Sequence, residues 1–142
     1  MTVKAFVPIV LALLVSSFGT QAQMPIESKK KMLVAYFSHT GNTRAVAQYI
    51  QEATGADIYE IVPANPYPES YGDVLARGRQ ELKDNAMPEL KPEAPDLAPY
   101  DVIFVGSPNW FNTIVPPVMT FLSARDFTGK TIVPFMTHGG GG

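Results

Sequence analysis

Three short stretches hold most of the residues that could grip a small ligand. They are Ser38-His39-Thr40-Gly41-Asn42-Thr43, Pro108-Asn109-Trp110-Phe111-Asn112-Thr113, and Thr137-His138 followed by the glycines 139–142. The first joins an apolar run to a helical pattern. A helix N-terminus presents unpaired N–H groups and about half a positive charge, so an anion gains about 0.3–2 kcal/mol there. Gly41 lets the backbone turn closely, while Ser38, Thr40 and Thr43 add hydroxyl donors. The Gly-x-x-x-x-Gly-Lys spacing of nucleoside triphosphatases is missing. The preceding run ends in Ser38 where a phosphoacceptor receiver would need aspartate, and with no cysteine in the chain a thiol phosphatase is excluded. What fits is a phosphate monoester that is held and not cleaved. Helix capping by Asn42 or Thr40 explains this loop equally well when it is taken alone.

The second stretch carries the only tryptophan, Trp110, beside Phe111. A planar ring stacked there gains about 0.5–1.5 kcal/mol beyond its area burial. The competing reading is an indole packed beneath its own loop. The third stretch offers backbone that can approach a ligand without side-chain obstruction, or else serves as a linker. His39 and His138 are the only histidines, and a solvated loop histidine is the plainer reading of each.

Elements that bring these loops together must come from a single domain, since 142 residues suffice for one. The chain is 46% hydrophobic and 17% charged with no cysteine, which excludes disulfide scaffolds, Cys-ligated zinc and iron–sulfur clusters. Eleven basic and thirteen acidic residues leave a net charge of −2, so there is no electrostatic footprint for nucleic acid or an anionic membrane. Lys4 followed by the apolar run 5–15 and the small, polar stretch 16–22 has the layout of a secretory signal peptide. The run is shorter than the ~20 residues that a spanning helix needs. Residues 1–22 are therefore expected to be a cleaved signal and 23–31 a leader. The remaining domain is 32–142, exported to the periplasm without stable membrane insertion.

Within 32–142 the pattern alternates strand and helix. Residues 32–38 and 101–106 are near-continuous apolar runs, as for strands buried on both faces, whereas 56–62 alternates like a strand nearer an edge. Helical patterns run over 43–54, ending at Gly55, and over 71–85. A third helix should start near Pro116 or Pro117, since proline suits the first helical turn. Residues 131–136 form the last strand. Pro63, Pro66 and Pro68 are expected to break regular structure between the second strand and second helix. The order β-α-β-α-β-α-β implies parallel strands with right-handed crossovers, an open doubly wound α/β sheet with helices on both faces. Ligands bind beyond the carboxyl ends of such strands, where strands one, three and four deliver the three loops.

At these loops the sequence resembles the flavodoxin-like FMN-binding family. The stretch 38–43 looks like its phosphate loop, and GSPNWFNTIVPPV (106–118) with the Thr-His-Gly-Gly loop extends the similarity over 32–142. The resemblance implies a five-stranded parallel sheet in the order 2-1-3-4-5 and non-covalent FMN. It implies that Ser38, Thr40, Gly41, Asn42 and Thr43 hold the FMN phosphate, with His39 in the same loop. Pro108, Asn109, Trp110 and Phe111 would line one side of the isoalloxazine, and Thr137, His138, Gly139 and Gly140 the other. Phe111 and Asn112 stand where relatives often carry a second aromatic and a glycine; asparagine tolerates the positive φ such a glycine supplies. Relatives also continue into a further helix, strand and helix. Four strands in the order 2-1-3-4 are therefore expected, with the fourth strand as an apolar edge, as in a shortened version of a longer flavodoxin. The implied function is electron transfer between a redox donor and an acceptor, whether proteins or a small molecule. Alternatives are an NAD(P)H-dependent FMN or quinone reductase, a non-redox binding module, or an inert fragment. No nicotinamide fingerprint follows the first strand.

Overall fold

The computed structural model describes residues 29–92 and 94–140. The expected signal segment 1–22, the leader up to residue 28, and Gly141 and Gly142 lie outside the described residues. Four strands, β1 (Met32–Tyr36), β2 (Asp57–Glu60), β3 (Val102–Pro108) and β4 (Thr131–Thr137), alternate with the helices α1 (Asn42–Thr54), α2 (Tyr71–Lys83) and α3 (Pro116–Ser123). All strand pairs are parallel, in the order β2-β1-β3-β4. That is the α/β order expected from the sequence.

Alternation along β1 explains why its run is apolar throughout. Leu33 and Ala35, continued by Phe37, enter a core shared with Val74 of α2 and with Val118 and Phe121 of α3. Val34 and Tyr36 enter a second core with Ala47 of α1. Leu33, Val34 and Ala35 are each at most 1% exposed, so both faces of this strand are sealed. β2 lies at one edge, and among the described residues β4 has a partner only in β3. Ile132 and Met136 on β4 are exposed. Pro134 pairs with Val105 within that ladder, where an edge position tolerates a residue without an N–H.

Several boundaries moved. β1 leaves the ladder after Tyr36, although the Phe37 N–H still donates to the Gly106 carbonyl at 3.1 Å. β3 runs two residues past Gly106, because Ser107 and Pro108 stay in register with Met136 and Thr137. The proline-rich connection after β2 retains an antiparallel bridge between Pro63 and Leu90, flanked by Ala64 N–H to Glu89 and Lys91 N–H to Val62.

Candidate functional site

The apolar strand β1 releases the chain at Phe37, and α1 starts five residues later. Gly41 makes that turn at φ 95°, a left-handed conformation that glycine reaches at no steric cost, and forms the N-cap of α1. Ser38 Oγ accepts the Gly41 N–H at 3.1 Å, and the first helical bond runs from Ala45 N–H to Gly41. Neither Thr40 nor Asn42 caps the helix; Asn42 Nδ2 donates to Thr40 Oγ1 at 3.4 Å instead. The N–H groups of Asn42, Thr43 and Arg44 thus stay unpaired among the described residues. Side-chain capping by Asn42 or Thr40, the competing account of this loop, does not occur.

Beyond β3 the chain makes a tight hairpin. Trp110 and Thr113 exchange backbone hydrogen bonds at 3.1 and 3.2 Å, and Phe111 and Asn112 between them have φ of 55° and 64°. Two central residues at positive φ define a type I′ turn. Asn112 suits its place, whereas a bulky phenylalanine at positive φ is strained. A conformation that glycine reaches freely is held here without one.

Hydrogen bonds tie the three loops together. Asn109 N–H donates to the Thr137 carbonyl at 2.8 Å, fastening the second loop to the end of β4. Thr43 Oγ1, 1% exposed as a residue, lies 2.9 Å from Thr137 Oγ1, fastening the start of α1 to the same residue. In the third loop, His138 Nδ1 accepts the Gly140 N–H at 3.3 Å.

Trp110 is seated on α2. A Cβ at Gly78 would stand 3.0 Å from its Cε3 and 3.3 Å from its Cζ3. Three rings meet the indole edge-on: Tyr67 at 5.0 Å, Phe37 at 5.8 Å and His39 at 6.3 Å between centroids. The Arg77 guanidinium lies 4.1 Å over Tyr67, while Tyr67 donates to Glu81, which also pairs with Arg77 at 2.8 Å. Burial, with the Glu81 carboxylate, pushes the Tyr67 phenol well above its usual range, so it stays a donor. Arg77 also donates to the Pro66 and Asn65 carbonyls at 2.7 and 3.0 Å. The indole is therefore both packed by its surroundings and presented by them.

These parts enclose a cavity of about 440 Å³, within the ~300–1,000 Å³ typical of small-molecule sites. His39, Thr40, Asn42 and Thr43 line it from the first loop, Pro108, Asn109, Trp110 and Phe111 from the second, and Thr137, His138 and Gly139 from the third. Ser38, Gly41 and Gly140 shape their loops without lining the cavity. The remaining wall is α2, through Tyr71, Val74 and Leu75, which the sequence analysis left out. Their i, i+3, i+4 spacing is what any amphipathic helix shows, so it carries no signal of a ligand site. The buried Asn109 Oδ1 has no hydrogen-bond partner among the described residues. Among the described residues there is no group of three or more His, Asp or Glu placed to hold a metal, and no helix is long and apolar enough to cross a membrane.

Near the first loop the charges are paired. Arg44 forks onto Glu60 at 2.6 and 3.2 Å, and Tyr36 donates to the same carboxylate at 3.2 Å. The positive field at the loop therefore comes from the helix end more than from a free cation.

The flavodoxin family model matches residues 31–142. The chain belongs to the flavodoxin family. A candidate flavoprotein from Bacteroides eggerthii, solved as a crystal structure, is 37% identical with a TM-score of 0.73, covering 79% of this chain and 73% of that one. A flavoprotein from Lactobacillus acidophilus, solved in complex with FMN, shares the fold at TM-score 0.70 with 24% identity, covering 79% of this flavodoxin chain and 77% of its own. Among curated proteins, an NAD(P)H dehydrogenase (quinone) from Cupriavidus metallidurans is 35% identical over 95 residues, 65% of this chain and 45% of that protein. One of the same name from Caulobacter vibrioides is 32% identical over 94 residues, 66% of this chain and 46% of its own length. The chain spans about half the length of these curated relatives.

Proposed function

We propose that this chain binds FMN in the cavity at the strand ends and serves as an electron-transfer protein between a redox donor and an acceptor. One observation carries the reading: the uncapped N-terminus of α1 opens onto the same cavity as Trp110. A phosphate monoester matches the first end, through the free N–H groups of Asn42, Thr43 and Arg44 and the Thr40 hydroxyl. A flat ring matches the second, beside Trp110, Pro108 and Asn109, with the His138-Gly139 backbone close by. When bound, FMN supplies one- and two-electron redox chemistry. The chain's own residues bind it, keep the ring against the indole and exclude water from one side. The edge-on packing of Phe37, Tyr67 and His39 fixes the indole before any ligand arrives, which lowers the ordering cost of binding.

The family membership and the FMN complex of the Lactobacillus acidophilus flavoprotein support the cofactor. The apolar segment 5–15 behind Lys4 supports export, with electron transfer taking place outside the cytoplasm. The names of the curated relatives favour a second reading, an NAD(P)H-dependent quinone reductase. Steady-state NADPH oxidation with a quinone acceptor separates the two, because a carrier needs an added reductase.

Titration of the purified protein with FMN, followed by quenching of flavin fluorescence, tests the cofactor. Trp110→Ala should weaken FMN and riboflavin alike. Thr40→Val should weaken FMN while leaving riboflavin, which has no phosphate, unchanged. Equal behaviour of the two ligands in the Thr40→Val protein removes the phosphate assignment.

A further inference from the structure

Arg44 directly follows the first loop and stands in the first turn of α1. Its guanidinium forks onto Glu60 through Nε at 3.2 Å and Nη2 at 2.6 Å. Parallel pairing of β1 with β2 sets Glu60 opposite Tyr36, whose hydroxyl donates to the same carboxylate at 3.2 Å. Glu60 also shares a hollow of about 160 Å³ with Ser38 and His39, so it stands on the flank of the loop. The fork leaves the two N–H groups of Nη1 unused, and Nη1 lies back over the turn. A Cβ at Gly41 would be 4.0 Å from it, and among the described residues no other atom beyond Gly41's chain neighbours comes so near. The turn at Gly41 thus meets the cationic member of the pair and not the carboxylate. The two side chains are 44% and 31% exposed, and an ion pair that open to water contributes little to stability. Folding alone gives no strong reason to hold a guanidinium at this spot.

We propose that the side chains of Arg44 and Glu60 together set how strongly the loop prefers a phosphate monoester dianion over an uncharged ligand. Arg44 supplies a cation that the phosphate feels. Glu60 holds that cation beside Gly41 and offsets part of its charge. The inference rests on the FMN reading, and it adds side-chain charge to the backbone N–H groups invoked there. Those N–H groups recognise a phosphate by direction. The pair decides how far FMN is favoured over riboflavin, the same ring without the phosphate. Arg44 is the specificity-determining residue, and Glu60 is a positioning residue that acts through it. Removing the Glu60 charge leaves Arg44 uncompensated. Whether the guanidinium then stays in place or swings toward the ligand, the dianion gains.

Fluorescence titration of the full chain with FMN and with riboflavin tests this, at about pH 8, where the phosphate is a dianion. Each titration is run at about 20 mM and about 0.5 M sodium chloride, to compare weak with strong screening. At low salt Arg44→Gln should weaken FMN about fivefold, the effect of one unit charge near a dianion in a largely aqueous dielectric. Glu60→Gln, which keeps the shape and an acceptor for Arg44, should tighten FMN by about the same factor. The double variant should return FMN to within about twofold of wild type, because the two charge changes cancel. Riboflavin should stay within about twofold throughout, and high salt should largely erase the FMN differences. A Glu60→Gln protein that binds FMN no more tightly overturns the inference. So do losses shared by FMN and riboflavin, or losses that persist at high salt, since these mark a structural role. A wild-type chain that binds neither ligand refutes the FMN reading itself, an outcome seen before any variant is made.

Discussion

Replacing Gly78 by alanine should separate the packing of Trp110 from its presentation. Gly78 sits mid-way along α2, where alanine would normally stabilise the helix by about 0.5–1 kcal/mol. The new Cβ would lie 3.0 and 3.3 Å from two indole carbons, against an optimum of about 3.5–4.0 Å. The ring would have to retreat by roughly 0.5–1 Å, and overpacking of that kind costs about 1–3 kcal/mol. Retreat is blocked, because Tyr67, Phe37 and His39 already meet the indole edge-on. Gly78→Ala should therefore lower stability by about 0.5–2 kcal/mol in urea denaturation and weaken FMN roughly tenfold. In a Trp110→Phe background the clashing ring is gone. There the same substitution should raise stability by the helix-propensity increment and leave FMN affinity where Trp110→Phe alone puts it. The reversal of sign is the diagnostic. Equal stabilisation in both backgrounds would refute the claim that α2 sets the position of the indole.

Other consequences can be tested on the unliganded protein. At the hairpin, Asn112→Ala should cost about 1 kcal/mol, because alanine has no compensation at φ 64°, while Asn112→Gly should cost nothing; equal unfolding midpoints for the two variants would contradict the turn assignment. On the alkaline side, burial pushes the Tyr100 phenol up to about 12, with its hydrogen bond to Asp57 at 2.7 Å acting in the same direction. An unfolded tyrosine ionises near 10, so between these values the folded state holds a proton that the unfolded state has lost, and stability falls as pH rises. Tyr100→Phe should flatten part of that decline in melting temperature between pH 10 and 12; an unchanged slope would refute the linkage.

The arrangement of the sheet was legible because its signals are local. Apolar runs as short as 32–36, bounded by turn signals, fit strands sealed on both faces, and Gly41, Gly55 and the Pro116-Pro117 pair mark helix ends by their own backbone preferences. Two of the three loops that line the cavity carried a signal for the same reason, through a glycine turn before a helix and a lone tryptophan after a strand. The contribution of α2 was hidden. Tyr71, Val74 and Leu75 follow a spacing that any amphipathic helix shows, and nothing near them in sequence says that the far end of β3 will deliver Trp110 onto Gly78. Bonds such as Thr43 to Thr137 join residues 94 apart in the chain and exist only once the crossovers are complete. The strained Phe111 was illegible too. Its neighbour Asn112 announced a positive φ, but a phenylalanine announces the opposite.

The most direct measurement is the ¹H–¹⁵N correlation spectrum of the protein as FMN is added. If one ligand bridges the three strand tips, the amides of Gly41 to Thr43, the indole N–H of Trp110 and the amide of Gly139 should all shift along one saturation curve. Ile103 and Val34, deep in the sheet, should stay in place. Shifts confined to a single loop, or none at saturating FMN, would contradict the assignment of this cavity to the cofactor.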